Sequence, residues 1–288
     1  MSVAYLPDSH KVKKILTIHS KGPFVKEILD YYSHNKFYIE NINYFGTLEN
    51  NGLEKADIIT FPSESSKELF SSNSSSKSFH HSDMIIVYNG VDIKHINSIK
   101  SDKDLLLRYG ITGKNELMIL NVAQHVKPKN ITLLIEAMNV LVNQIDASIC
   151  LINAGDGAET EKLRKMISYY HLQNNVKLLG RLPNERIIML MKACDIFIMP
   201  SERVVFDMVI LEAMACGCCI IASDEGGNKE IIKNGENGYL LNEISVEEIV
   251  DKILNVNRKI TGINAIEYVK NYSRERMVRE YEKIYSIL

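Results

Sequence analysis

The chain has 288 residues, 45% of them hydrophobic and 24% charged, with a formal net charge of -2. That is ordinary globular composition with room for two modest domains, and it excludes a whole-molecule basic field of the kind that draws nucleic acid. No apolar run approaches the roughly 20 residues that span a bilayer, and the lysines of the first 14 residues follow the weak apolar stretch instead of preceding it, the reverse of a secretory leader; the expectation is a cytoplasmic protein.

Short β-rich runs alternate with helical patterns along almost the whole chain. ILTI (15–18), DIITF (57–61) and MIIVY (84–88) read as strands, and between the second and third comes a polar, serine-rich interruption, SSNSSSKSFHHS (71–82), read as a surface loop with His80 and His81 solvated. NGVD (89–92) carries a turn signal, and the domain boundary is placed there. Beyond it come LMILNVA (117–123), ASICLIN (147–153), NVKLLG (175–180), DIFIMP (195–200), CCIIAS (218–223) and GYLL (238–241). Several are continuous apolar runs, as strands covered on both faces require. The amphipathic segments NITLLIEAMNVLVN (130–143) and ETEKLRKMISYYHL (159–172) fall between strands. This alternation predicts parallel sheets flanked by helices. Residues 1–92 supply about three strands and residues 93–270 about six β-α units. The segment 271–288 is expected to be a helix, capped by Ser273, with Met277, Tyr281, Ile284, Tyr285 and Leu288 as its apolar stripe and Glu275 paired to Arg279.

The five cysteines are Cys150, Cys194, Cys216, Cys218 and Cys219. Their odd number and mostly apolar contexts read as reduced, buried thiols. Cys216-Gly-Cys-Cys219 has no second Cys/His cluster at ligand spacing, so no metal is expected.

In a parallel α/β sheet, ligands sit outside the carboxyl ends of the strands, where loops lead into helix N-termini. Four loops there carry suggestive residues. QHVKPKN holds Lys127 and Lys129; AGDGAE holds Gly155 and Gly157; RLPNE follows NVKLLG; SERVVFDMVILE follows DIFIMP. Cationic side chains beside helix N–H groups suit an anion such as a diphosphate. Glu212, one turn into an apolar helix, suits a pair of vicinal hydroxyls such as those of ribose. Taken singly, a helix-start acid more often complements the helix dipole, and a lone G-x-G is more often a turn. Only the joint arrangement on one edge points to a site.

Together, NGVD, the lysine-bearing loop, AGDG, LLGRLP, PS…F…LEAMACG, SDEGGNKEII and NGENGYLL, in that order, resemble the retaining nucleotide-sugar glycosyltransferases of GT-B fold, the family 4 group. The resemblance runs from about residue 15 nearly to the end. It implies two Rossmann-like doubly wound domains, an N-terminal, acceptor-side one at 1–92 and truncated here, and a nucleotide-sugar-binding one at 93–270, with 271–288 as a helix crossing back to the first. It implies Glu212 on the ribose hydroxyls, as second acid of an E-x7-E signature, and Lys129 on the donor diphosphate. His19 would stand near the donor sugar; His19, Lys129 and Glu212 are the expected catalytic residues. Phe206, Asp207, Met208 and Val209 would offer N–H groups to phosphate and sugar, Arg181 and Leu182 would flank the base, and Gln124, Gly155 and Glu202 complete the donor-binding set.

Two departures stand out. The first acid of the signature falls on Val204, with Glu202 and Asp207 as candidate replacements, and the arginine of the phosphate loop falls on Gln124. The implied activity is transfer from a nucleoside diphosphate sugar, UDP-sugar favoured, to an acceptor hydroxyl in bacterial surface glycan synthesis. No cofactor or metal is needed. The acceptor would be a glycan, lipid-linked or protein-borne, and the location the cytoplasm or the inner membrane face. A three-strand domain would leave an apolar face or edge open, which calls for a second copy or a partner chain. The alternatives are a catalytically inactive partner subunit of an active transferase, and an epimerase acting on nucleotide sugars.

Overall fold

Parallel pairing unites all nine strands found among the described residues into two sheets. A computed structural model describes residues 13–19, 29, 35–73, 83–102, 104–111, 117–145 and 148–287. His80, His81, Leu288 and most of the serine-rich stretch lie outside those residues. The chain divides into two compact units, one of residues 1–89, 204–206 and 276–288, the other of residues 90–203 and 207–275.

The first unit holds strands β1 (Ile15–Thr17), β2 (Ile58–Phe61) and β3 (Asp83–Ile86), in the order β1-β2-β3. Alternate residues of β2 serve opposite faces, as the period-two pleat dictates. Ile59 and Phe61 pack with Leu53, Ala56 and Phe70, from the two helices flanking β2. Ile58 packs with Val87 and, on the C-terminal helix Arg274–Ile287, with Met277, Tyr281 and Ile284. Thr60 Oγ1 donates to Thr17 Oγ1 at 2.9 Å, and Tyr281 Oη lies 3.3 Å from each hydroxyl. The open apolar face expected of so short a sheet is therefore covered from within the chain, on both sides. Two details of the helix differ from the sequence reading. Tyr285 is 63% exposed, because it falls off the buried stripe, and Glu275 pairs with Lys94 at 3.0 Å instead of Arg279.

The second unit holds β4 (Leu117–Val122), β5 (Ile149–Ala154), β6 (Val176–Leu178), β7 (Ile196–Met199), β8 (Cys219–Ser223) and β9 (Tyr239–Leu241). Their order is β6-β5-β4-β7-β8-β9, the doubly wound Rossmann arrangement, in which the winding reverses between the first strand and the fourth. β5, β7 and β8 are buried at every residue, which accounts for their largely apolar sequences; the exceptions, Asn153 of β5 and Ser223 of β8, are hydrogen-bonded. One core cluster joins β4, β5, β7 and β8 to the helices Ile131–Val140, Thr160–Tyr169 and Val246–Asn255. The last of these is capped at its start: Ser245 Oγ accepts the Glu248 N–H, and the Glu248 carboxylate reaches back to the N–H groups of Asn242 and Glu243, in the turn before the cap. No helix among the described residues is long and apolar enough to cross a membrane.

Candidate functional site

The reversal of winding between β4 and β7 opens a crevice at their carboxyl ends, so the loop 123–130, the segment 200–203 and the helix entry at Asp207 flank it. The chain builds the first loop as a short 3-10 turn, Lys127–Lys129, closed by Asn130 in the left-handed region at φ 52. Asparagine tolerates that conformation better than most residues. Its amide Nδ2 then donates across the crevice to Pro200 O at 3.0 Å and to Glu202 Oε1 at 3.2 Å. The Glu202 N–H returns a bond to Pro128 O at 2.8 Å. On the other flank, Glu225 accepts the Arg203 N–H, and Ser223 Oγ donates to Ser201 O, both at 2.6 Å. Arg203 itself is held at φ 60. The loop after β7 is thus tied to the loops after β4 and β8.

Asp207 occupies the N-cap of the helix Met208–Ala215 yet makes no capping hydrogen bond. Its Oδ1 lies 3.7 Å from Lys129 Nζ instead, with both side chains largely buried, and its Oδ2 is buried without a partner. A carboxylate turned away from the helix leaves the first-turn N–H groups, those of Met208 and Val209, for an outside acceptor. Ser201 Oγ and Asn228 Oδ1, on the loops after β7 and β8, are likewise buried and unpartnered.

Glu212 stands on the same helix, half-buried, and accepts a hydrogen bond from Asn184 Nδ2 at 3.1 Å. Burial pushes its carboxyl above the usual carboxylate range, and the Asn184 amide opposes that shift. Asn184 begins the helix Asn184–Met191 in the loop region after β6. Arg181 is exposed and Leu182 half-buried just before it.

The two glycines of AGDG have a packing task. A Cβ on Gly155 would stand 1.8 Å from Ala123 O, and one on Gly157 would stand 2.6 Å from His125 O. The loop after β5 lies backbone to backbone on the loop after β4, and Gly155 N–H also bonds Gly180 O at 2.9 Å. Loop packing by itself therefore requires glycine at 155. Beneath the two loops runs a buried polar chain. Asn121 Nδ2 donates to Ile198 O, Asn153 Nδ2 to Asn121 Oδ1, and His125 Nε2–H to Asn153 Oδ1. His125 Nδ1 meets Thr160 Oγ1 at 2.7 Å. Thr160 and the Gly157 N–H bond the Asp156 carboxylate and hold its pKa below the usual range.

Of the residues singled out from sequence, Lys129, Glu202, Asp207, Met208, Val209 and Glu212 share this edge, with Gln124 exposed on its first loop. Two fall in the other unit. His19 is exposed just beyond β1, and Phe206 groups with Tyr88, ring centroids 6.3 Å apart. Val204, at the place of the first signature acid, is also in that unit and 2% exposed. Asn130, Asn184 and His125 escaped the sequence reading. The first two sit at helix starts, where asparagine reads as a cap, and the third looked like one more polar residue of a loop.

The thiols are chemically quiet. Burial raises Cys150 and Cys219 to about 11 and Cys216 to about 12, and lifts Cys194 and Cys218 as well. Cys218 Sγ donates to Met191 O and Cys219 Sγ accepts from Thr261 Oγ1.

Comparison with known proteins bears on the whole arrangement. Residues 109–275 match the family model described as glycosyl transferases group 1. An uncharacterized glycosyltransferase of Methanocaldococcus jannaschii, MJ1069, is 30% identical over 285 residues, which make up 96% of this chain and 69% of that protein. N-acetyl-alpha-D-glucosaminyl L-malate synthase of Bacillus anthracis is 28% identical over 244 residues, 81% of this chain and 60% of that protein. The chain thus spans 69% and 60% of these two relatives, and 54% of a second Methanocaldococcus protein, MJ1178. Among solved structures, Anabaena Alr3699/HepE in complex with UDP and glucose superposes with a TM-score of 0.75 at 23% identity, covering 96% of this chain and 72% of that one. The likeness extends the α/β assignment to the GT-B fold.

Proposed function

The chain belongs to the group 1 glycosyl transferases, and we propose that it is a metal-independent, retaining transferase that moves a sugar from a nucleoside diphosphate donor, a UDP-sugar by preference, to an acceptor hydroxyl. The observation that carries this reading is the Lys129–Asp207–Glu212 set on the carboxyl edge of the Rossmann sheet, at and beside the reversal of winding. Lys129 and the N–H groups of Met208 and Val209 take the diphosphate, Glu212 the ribose hydroxyls, and Arg181 and Leu182 flank the base. Asp207 and Glu202 are the two candidates for donor-sugar hydroxyls: Asp207 keeps Oδ2 without a partner, and Asn130 engages one oxygen of Glu202. During transfer the anomeric carbon–oxygen bond breaks with its electron pair passing to the diphosphate. The acceptor oxygen bonds the anomeric carbon, and its proton leaves with the diphosphate. Lys129 and the helix N–H groups stabilise the charge on the leaving group, and no carboxylate pair is needed for acid–base work. The structure of Anabaena Alr3699/HepE holds UDP and glucose, which favours uridine here.

The acceptor we propose is a growing glycan, on lipid or protein, met in the cytoplasm or at the inner membrane face of a bacterium. Both faces of the three-stranded sheet are covered from within the chain, so a second copy or a partner chain would pair with its outer strands, β1 and β3; light scattering that finds only a soluble monomer speaks against this. A second reading, an inactive partner subunit of an active transferase, is favoured by Val204 in place of the first signature acid and by the neutralisation of Lys129 by Asp207. Calorimetric titration with UDP, GDP, ADP and their common sugar conjugates separates the two. Micromolar binding of one nucleotide, weakened in Glu212→Ala, supports the transferase; indifference to all of them supports the subunit.

A further inference from the structure

Glu212 has three rotatable side-chain bonds, and a carboxylate that must meet two hydroxyls at once needs a fixed plane. Asn184 Nδ2 supplies a fixed point, at 3.1 Å from Oε1. No other hydrogen bond to this carboxylate is found among the described residues, and Oε2 is not among the buried unpartnered atoms, so it stays open to a ligand. The backbone explains why the asparagine can reach. Pro183 takes the N-cap position with φ -59 and has no side-chain donor or acceptor to offer, and Asn184 follows as the first helical residue, exposed and with its amide committed to no cap. We infer that Asn184 is a positioning residue of the ribose site, holding one oxygen of Glu212 so that the other oxygen and the remaining lone pairs meet the vicinal hydroxyls of the nucleotide. This rests on the reading of Glu212 as the ribose-binding acid.

The physical case has two parts. A rotamer fixed before binding is not paid for at binding, so the hydroxyls gain from a carboxylate already in place. The amide hydrogen bond also favours the ionised form, against the burial that raises the pKa of Glu212, and the ionised form is the stronger acceptor because both of its oxygens only accept. An asparagine is suited to the task because it donates without adding charge. An aspartate of the same shape would set a second carboxylate against Glu212.

The test is calorimetric titration of the full chain with UDP and with 2′-deoxy-UDP, for the wild type, Asn184→Ala, Asn184→Asp, Glu212→Ala and the Asn184→Ala/Glu212→Ala double variant. Asn184→Asp keeps the side-chain shape and places an acid in a first helical turn, where it is tolerated, and thermal denaturation verifies folding. The wild type should prefer UDP, and both Asn184 variants should weaken UDP about threefold to tenfold while weakening 2′-deoxy-UDP, which keeps only the 3′ hydroxyl, by less, so that the preference for UDP shrinks. The double variant should bind no more weakly than Glu212→Ala alone. If Glu212→Ala abolishes the preference for UDP but Asn184→Asp retains it, the positioning role is wrong and the ribose assignment stands. If the wild type shows no preference, or binds neither nucleotide, the ribose assignment falls and this inference falls with it.

Discussion

Lys129 Nζ lies 3.7 Å from Asp207 Oδ1, an ion pair that joins the loop after β4 to the helix entry after β7 and sits where the proposed diphosphate must arrive. The anion has to compete with Asp207 for the lysine. Replacing Asp207 by Asn removes the competitor and a negative charge at close range. UDP should then bind more tightly, by about fivefold to tenfold at low salt, and the gain should shrink at high salt. Lys129→Ala should weaken UDP by about tenfold or more. Titrations of UDP against a UDP-sugar distinguish the two sides of the acid. If Asp207 reads a sugar hydroxyl, Asp207→Asn lowers the ratio of sugar-conjugate affinity to UDP affinity, whereas an unchanged ratio removes Asp207 from sugar recognition.

Glu212 links acidity to both binding and stability. Its folded-state pKa is raised, chiefly by burial, from the usual 4.5. The folded chain therefore holds this proton more tightly than the unfolded chain. The resulting stability is fully present below the unfolded-state value and is lost as pH rises through the folded one. Glu212→Gln should accordingly raise Tm at pH 7, and the difference should vanish below about pH 4. Nucleotide binding runs the opposite way: wild-type affinity should fall on acidification through the raised pKa, and the Gln variant should bind weakly at every pH. A Gln variant with unaltered UDP affinity at pH 7 would detach Glu212 from the nucleotide.

How much of this was legible in the sequence varies with the physics. The nine strands and their parallel pairing announced themselves, because a strand covered on both faces tends to be a continuous apolar run, as in β7. The edge carrying Lys129, Asp207 and Glu212 followed from topology, since parallel strands put all their outgoing loops at one end. Cross-loop partners did not follow. Asn130 bonds residues 70 and 72 positions away, and Asn184 one that is 28 away. Nothing local marks such pairs, and each asparagine had a sufficient local excuse at a helix start. The covering of the first sheet was missed for a related reason. Met277, Tyr281 and Ile284 were visible as a stripe, but their counterpart, Ile58 and Val87, lies some 200 residues earlier by the numbering.

The glycines offer a test of packing against conformation. Gly155 and Gly180 are joined by a backbone hydrogen bond, yet their constraints differ. Gly155 is crowded, with Ala123 O 1.8 Å from any added Cβ, whereas Gly180 is at φ 72 in open space. Gly155→Ala must push the two loops apart and should cost about 3 kcal/mol or more in urea denaturation. Gly180→Ala meets only left-handed strain and should cost about 1 kcal/mol. The first variant should also weaken UDP binding, because the displaced loop carries Lys129. Equal costs for the two substitutions would show that the loops part easily.

His125 is the last constraint on that loop, and the one with the clearest chain of consequence. It is 1% exposed and stands two residues before the Lys127–Lys129 turn. The direction of the buried chain is fixed at its far end. Ile198 O can only accept, so Asn121 donates its amide there; Asn121 Oδ1 then accepts from Asn153 Nδ2, and Asn153 Oδ1 is left to accept from His125 Nε2–H. His125→Leu keeps the bulk but strips Asn153 Oδ1 of its donor in a fully buried place. A buried acceptor without a partner costs about 1–3 kcal/mol, so urea denaturation should report a loss of that size. Asn153→Leu alone should cost a similar amount, since it strands Asn121 and His125 together. The two replacements combined should cost less than their sum, because the second removes the group that the first left unsatisfied. Strict additivity would mean that the chain of amides does not act as a unit, and that the loop bearing Lys129 is held by its glycine contacts and its bonds to the loop after β7.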